Sequence, residues 1–400
     1  MIAPNNEPRV GVFPGIALMG TASRPSQANG AGFGRAFGRA LVAGFVVAVF
    51  AVPSSGQAAI VRPRPAPPSP TPTPPPVPYL TDINSNISAG TTVIDLGSNF
   101  LRRLGNQATW GFNKALGANP GGGGASENTE DPRFRSWGEA YGLSVKNAGN
   151  DDFFGDKRTT YGGVIGLGAR LAPGVNAGLS VDQSHTVIDV PLALQSATLN
   201  LTQIGFNASI DKGPWTWAIA LVHGFGDIHS SRDTGLGTAT AGYGARLDGV
   251  LTELSYYWSI DQSRIVPKAA FEYVRVSTGS LQEAGGVDPV MASGGVAERS
   301  RALIGAEIGH YWIFDKKILD LSAYGKFVDN LSQNFSPITV SLGAESITVQ
   351  GFGESRYGAD AGASASLSLT NSARVYINYD GKYRAALQSH QGLLGVELKW

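Results

Sequence analysis

From Gly392 onward apolar and polar positions alternate strictly: Leu394, Val396, Leu398 and Trp400 share one face, and Gly395, Glu397 and Lys399 the other. The preceding run repeats the rule, setting Ala373, Val375, Ile377 and Tyr379 against Arg374, Tyr376, Asn378, Asp380 and Lys382. A half-buried soluble strand alternates too. Ionisable groups on one face with aliphatic and aromatic groups on the other, however, suit a strand between a wet lumen and lipid, where a closed sheet pairs every backbone polar group. Between Phe134 and Trp400 the pattern predicts twelve strands, at about 135–146, 159–171, 175–187, 197–211, 214–228, 243–260, 264–278, 299–314, 318–329, 352–369, 373–383 and 389–400. Short turns at 172–174, 211–214, 261–263, 315–317 and 370–372 are interspersed with longer loops at 147–158, 229–242, 279–298 and 330–351. Such turns on one rim and loops on the other mark a transmembrane barrel. An even strand count puts both barrel ends on the periplasmic rim.

The alternation also assigns faces. Trp215, Trp217, Ile219 and Leu221 are predicted to face lipid, with Thr216, Ala218 and Ala220 inside. Val250, Leu254, Tyr256 and Trp258 face out against Glu253 and Ser255, and Leu319, Leu321 and Phe327 face out against Asp320, Ser322, Tyr324 and Lys326. Trp215, Trp258, Tyr311, Trp312 and Trp400 fall near strand ends, where interfacial aromatics belong. The first strand is ambiguous, because Glu139 shares its face with Trp137, Tyr141 and Leu143.

Upstream the period changes. Ile83, Ile87, Val93, Ile94, Leu96, Phe100, Leu101, Leu104, Ala108, Phe112 and Leu116 recur at helical spacing, predicting a helix over roughly Thr92 to Ala115 whose start Gly90 and Gly97 weaken. Two settings stay open: a helix on a soluble core, or a helix in a wet pore touching small and polar side chains. Arg62 to Pro78 is proline-rich and reads as a semi-rigid polyproline II spacer. The apolar run Leu41 to Val52, with Arg35 and Arg39 before it and small residues after, is shorter than the roughly 20 residues of a spanning helix and reads as a secretory signal cleaved after Ala58 or Ala59. The expected division is residues 1–59 signal with extended leader, 60–80 proline-rich segment, 81–131 pore helix and linker, and 132–400 barrel.

Net charge is zero, 16% of residues are charged and Cys is absent, so charge singles out no partner, nucleic acid included, and thiolate chemistry is excluded. The residues predicted to line the lumen or touch the helix are Arg102, Arg103, Arg170, Glu253, Glu272, Glu307, Lys326, Arg374, Glu397 and Lys399. Opposite charges there can pair with one another and hold a plug. His185, His223, His229, His310 and His390 lack metal-ligand spacing, and no catalytic, cofactor-binding or metal-binding set stands out. Asp227 and His229, with Asp151 and Asp152 in another loop, are similar to the Asp/His sites of surface-exposed outer-membrane proteases and give a third, minor reading.

Four stretches carry a family likeness: Trp137 to Gly142 (WGEAYG), Tyr161 to Ala169 (YGGVIGLGA), Val375 to Tyr383 (VYINYDGKY) and Gly392 to Trp400 (GLLGVELKW). In this order the region from Asp82 resembles the translocator domain of autotransporters, the type V secretion proteins of Gram-negative bacteria. The resemblance implies an all-β, twelve-stranded antiparallel transmembrane barrel with an N-terminal α-helix in its pore. It further implies insertion in outer-membrane lipid with the help of periplasmic chaperones and a barrel-assembly machinery that reads the last strand, where Leu398 and Trp400 match the signal. A monomeric, non-enzymatic translocator displaying its N-terminal segment at the cell surface is the expectation. Only about twenty residues separate Ala59 from Asp82, room for a short displayed tail and not for a large passenger. The alternative is a porin-like channel or surface-loop protein with a periplasmic tail. No adjacent Asn pair occurs among Asn84, Asn86, Asn99 and Asn106, so the helix self-cleavage of some members is not carried over.

Overall fold

The computed structural model describes residues 79–110, 132–150, 152–314, 317–351 and 353–400; the predicted signal, the proline-rich segment and the helix tail beyond Trp110 lie outside them. Twelve antiparallel strands form a closed barrel: β1 (Phe134–Gly149), β2 (Phe154–Ala172), β3 (Val175–Val190), β4 (Gln195–Lys212), β5 (Trp215–Asp233), β6 (Thr238–Tyr256), β7 (Ser263–Thr278), β8 (Gly295–Phe314), β9 (Lys317–Phe335), β10 (Tyr357–Ser368), β11 (Ala373–Tyr383) and β12 (Leu387–Lys399). Each pairs with the next, and β6 breaks at Tyr257 before a short continuation, Trp258–Ile260, on β7. Closure is made by β1 on β12, from Arg135 opposite Lys399 to Asn147 opposite Leu387.

The predicted faces hold on most strands. Trp215, Trp217, Leu221, Leu254 and Trp258 are exposed on the outside, while Thr216, Ala218, Ala220 and Glu253 are buried within. Leu394, Val396, Leu398 and Trp400 point out and Glu397 is 1% exposed. On β1 the ambiguity resolves inward: Trp137, Glu139, Tyr141 and Leu143 are all buried, and the outward positions are the small Gly138, Ala140 and Gly142. The inward rings need room on the neighbouring strand, and glycine supplies it; a Cβ at Gly166 would collide with the Trp137 indole.

Several strands run past their predicted ends. The expected loops at 147–158 and 229–242 shrink to the four-residue connections 150–153 and 234–237. Outward residues there, such as His229 and Ser231, no longer follow the lipid pattern, but the inward ones, Ile188, Ala197, Leu199 and Ile228, are 2% exposed or less. Packing inside the barrel sustains the strands above the apolar belt. The two remaining loops are folded: residues 281–282, 291–292, 337–342 and 345–350 form a separate four-stranded sheet over the mouth.

The helix spans Asn84–Trp110, preceded by a 3-10 turn at Leu80–Ile83, and so starts earlier than its glycines and asparagines predict. The barrel supplies what local propensity lacks. Ser85 N–H donates to Gln195 Oε1 (2.8 Å), and the Asn84 side chain exchanges hydrogen bonds with Phe154, whose N–H donates to Oδ1 (2.8 Å). The first satisfies one of the amides a helix start leaves open, and the second pins the Asn84 side chain to the start of β2. They also fix its direction: the first turn lies at the loop rim, and Gln107 lies towards the turn rim beside Arg135. No helix among the described residues is long and apolar enough to cross a membrane.

Candidate functional site

The site is the lumen with its helix, and it has two unlike sides. One helix face carries Val93, Leu96, Phe100, Leu101 and Leu104, all 2% exposed or less, against Leu199, Leu201, Leu247, Leu251 and Val274 of the barrel wall. Each such burial contributes about 1.5–3 kcal/mol. Contact is close because glycines sit between: a Cβ at Gly97 would lie 2.6 Å from a Leu247 methyl, and one at Gly249 would lie 2.8 Å from Leu101. Of the two settings left open by the sequence, the helix lies in the pore, and there it has a dry side and a charged side.

On the charged side, Arg102 pairs with Glu272 (3.3 Å) and Asp360, while Arg103 pairs with Glu139 (2.8 Å) and lies over the Tyr141 ring. Asp95 receives Arg299 (2.9 Å) and Arg158 (3.4 Å). Ser98 meets Arg301, Asn99 meets Lys382, and Gln107 donates to Glu139 (2.9 Å) and Tyr376 Oη (3.2 Å). Buried charges are costly unless paired, and here helix and wall supply each other's counter-ions. A cavity of about 130 Å³, lined in part by Asn106, Tyr324, Lys326, Asn378 and Lys382, separates the helix from the β9 to β12 wall. It has room for on the order of ten waters.

Arg102, Arg103 and Glu272 thus meet at the helix. Glu253 and Lys326 pair with each other (3.2 Å) beside the cavity, and Glu307 binds Arg264 and Lys268 within the wall. Arg374 and Lys399 gather on Glu397 (3.0 and 3.3 Å), and Arg135 links that carboxylate to the helix by donating to Gln107 O (2.6 Å). Arg170 is half-buried at the turn end of β2, where its N–H donates to Arg133 O (2.8 Å). Leu398 and Trp400 lie on the outer face, Trp400 stacked on Phe134. Asp227 and His229 are exposed on the outward face of β5, Asp152 is exposed in the β1–β2 connection, and Asp151 lies outside the described residues.

Sequence reading missed Arg158, Arg299, Arg301, Asp360 and Arg384, and set Lys382 on the polar face without naming it as a lumen residue. All lie on the inward parity of their strands or just beyond it, so Arg299 and Arg301 follow from Glu307 by counting in twos. Glu354 falls inside the strand predicted over 352–369 and on its inward parity, but that strand starts only at Tyr357. Glu354 lies in the β9–β10 connection, which Gln333 and Asn330 hold by hydrogen bonds, and it binds Arg299 (2.7 Å) and Arg384 (2.9 Å).

Burial raises the Glu354 carboxyl, but Arg299, Arg301, Arg384 and Lys382 outweigh it and hold the group well below the usual carboxylate range. A depressed folded value stabilises the latched connection above the ordinary value of about 4.3. That stabilisation is lost as pH falls from there through the folded value. Amide exchange at Glu354 and Ser355, corrected for intrinsic rate, is expected to rise between pH 6 and pH 3, and Glu354→Gln should abolish the dependence. An unchanged profile in the variant would assign the acid response elsewhere.

Comparison with known proteins fits this geometry. The family model described as Autotransporter beta-domain matches residues 136–380. The translocator domain of the autotransporter NalP from Neisseria meningitidis superposes with a TM-score of 0.61 at 13% identity, covering 80% of this chain and 99% of that one. The β domain of the Bordetella autotransporter BrkA gives 0.50 at 14% identity, over 67% of this chain and 100% of that one. Two curated relatives, each named extracellular serine protease and from Serratia marcescens, are 23% identical over 279 residues, 65% of this chain. The match spans about a quarter of their own length, 25% and 26%. With the family model covering more than half of its residues, this chain belongs to the autotransporter β-domain family.

Proposed function

We propose that this Gram-negative outer-membrane translocator carries the segment upstream of Tyr79 through its lumen and displays it at the cell surface, with the loop rim outside. The direction of the helix carries the reading. Tyr79 is 66% exposed and the first helical turn is bound at the loop rim, so the helix enters the lumen from that side. A porin-like barrel with a periplasmic tail calls for the opposite direction. The outward Leu398 and Trp400 serve as the assembly signal, read by the barrel-assembly machinery after periplasmic chaperones deliver the chain. The barrel works as a monomer in lipid, binds no nucleic acid and is assigned no catalysis. The charge pairs along the helix hold it as a plug once transport ends.

A tag placed after Ala59 tests display. On intact cells it is expected to be cut by added protease while a periplasmic control stays whole. Protection that is lost only when the outer membrane is opened would favour the channel with a periplasmic tail.

A further inference from the structure

The small sheet over the mouth has an unusual core. Its buried face, Leu281, Val290, Ala292, Val340 and Val349, packs with Ile83 and Ile87 at the helix start and with Phe153 and Ala241 from the barrel rim. Ile83 is 1% exposed and Val340 is 0%. Two of its strands have two residues and two have six, so it is little more than one hairpin, and an isolated two-stranded hairpin is marginal in water. Polar contacts join the same parts. Arg232 of β5 binds Glu283 of the sheet (2.6 Å) and Asp82 of the helix start (3.5 Å), and Tyr243 Oη donates to Asn86 Oδ1 (2.8 Å). Without the helix, the sheet's apolar face would look into an open lumen and Arg232 would lose one of its carboxylates.

We propose that this sheet is a lid whose own fold is completed by the helix, so that it closes the outer mouth only after the helix is seated. An unoccupied barrel then has unfolded loops and an open mouth, and a chain in transit meets no preformed barrier. Arrival of Ile83 and Ile87 at the rim supplies the missing half of the lid core, and closure follows transport without a further signal. This goes beyond display, since it depends on the seated helix and not on what is presented.

The test uses the full chain refolded in detergent micelles, with proteinase K and mass mapping of cuts within 336–350. Wild type is expected to resist cleavage there. Ile83→Asp combined with Ile87→Asp leaves the deeper Arg102 and Arg103 pairs in place and should raise cleavage of this hairpin by about tenfold or more through local opening. The barrel should keep its heat-modifiable mobility. Val340→Asp, which breaks the lid from its own side, should raise it as much. Equal resistance in the double variant would show a self-sufficient sheet and overturn the proposal. Rapid cleavage in wild type would overturn it too, by showing that the lid is not closed over a seated helix. Neither outcome involves cells, so failure here is separable from failure of surface display.

Discussion

Arg301→Met is expected to remove about 3–5 kcal/mol of stability, the cost of breaking a buried charge pair from one side. The Arg301 side chain is 0% exposed, its Nε lies 2.7 Å from Glu272 Oε1, and it also reaches Ser98 on the helix. Its loss leaves Glu272 buried with Arg102 as the nearer remaining counter-ion and loosens Glu354, which lies 3.6 Å from Arg301. Urea unfolding of the refolded protein, followed by loss of heat-modifiable mobility, measures the shift. Removing both charges together, as Arg301→Met with Glu272→Leu, should recover part of the loss, because two apolar groups leave neither charge stranded. Arg356→Ala is the contrast. Arg356 binds Asp329 at 3.1 Å on the exposed surface, and no measurable change is expected. Equal effects at the two sites would mean that the interior pairs do not hold the helix.

The second large effect lies on the opposite face of the sheet. Leu394→Arg puts a charge halfway along β12 on the outward side, where Leu394 is 62% exposed to what the fold makes lipid. Refolding into vesicles should cost about 2–4 kcal/mol at this depth, against about 0–1 for Leu398→Arg near the rim. Cells should reverse the order of severity relative to that scale. If Leu398 is part of the assembly signal, Leu398→Arg will lower the amount of barrel in the outer membrane far more than its small unfolding change explains. Proportionate losses for both variants would leave lipid solvation as the whole account and remove the assembly role.

What could be read in the sequence follows from where alternation has a single cause. On β5, β6 and β12 one side meets lipid and the other a filled lumen, and residues from Trp215 to Leu221 declare their faces. On β1 both sides are atypical, since the inner face mixes Trp137, Tyr141 and Leu143 with Arg135 and Glu139, which reach polar groups of the helix, and the small Gly138, Ala140 and Gly142 face out. Trp137 and Glu139 on one face therefore left the strand unassigned, although Trp137 is 4% exposed and faces in. The helix start was hidden because Asn84 and Ser85 are poor helix formers whose partners, Phe154 and Gln195, are remote in sequence. The lid was hidden because Ile338 to Val349 matches any loop hairpin; its role comes from Ile83 and Ile87. Ion-pair partners were legible by parity on strands; at Glu354 the predicted strand over 352–369 hid a folded connection, because the strand starts only at Tyr357 and Gln333 and Asn330 hold the residues before it.

The seam between β1 and β12 also has a kinetic meaning. Arg135 and Glu397, 3.3 Å apart, are 262 positions apart in the chain. Joining such distant points in a free chain costs about 5 kcal/mol of loop entropy. The neighbouring hairpins, whose partners are joined by a few residues, form at far lower cost. The favourable order is hairpins first and seam last, once the twisted sheet has brought its edges together. Until then two strands present unpaired N–H and C=O groups, which hydrocarbon does not tolerate. The open sheet is therefore the slow and aggregation-prone species on the folding path, and a catalyst of barrel folding acts most effectively by sheltering those two edges until they meet.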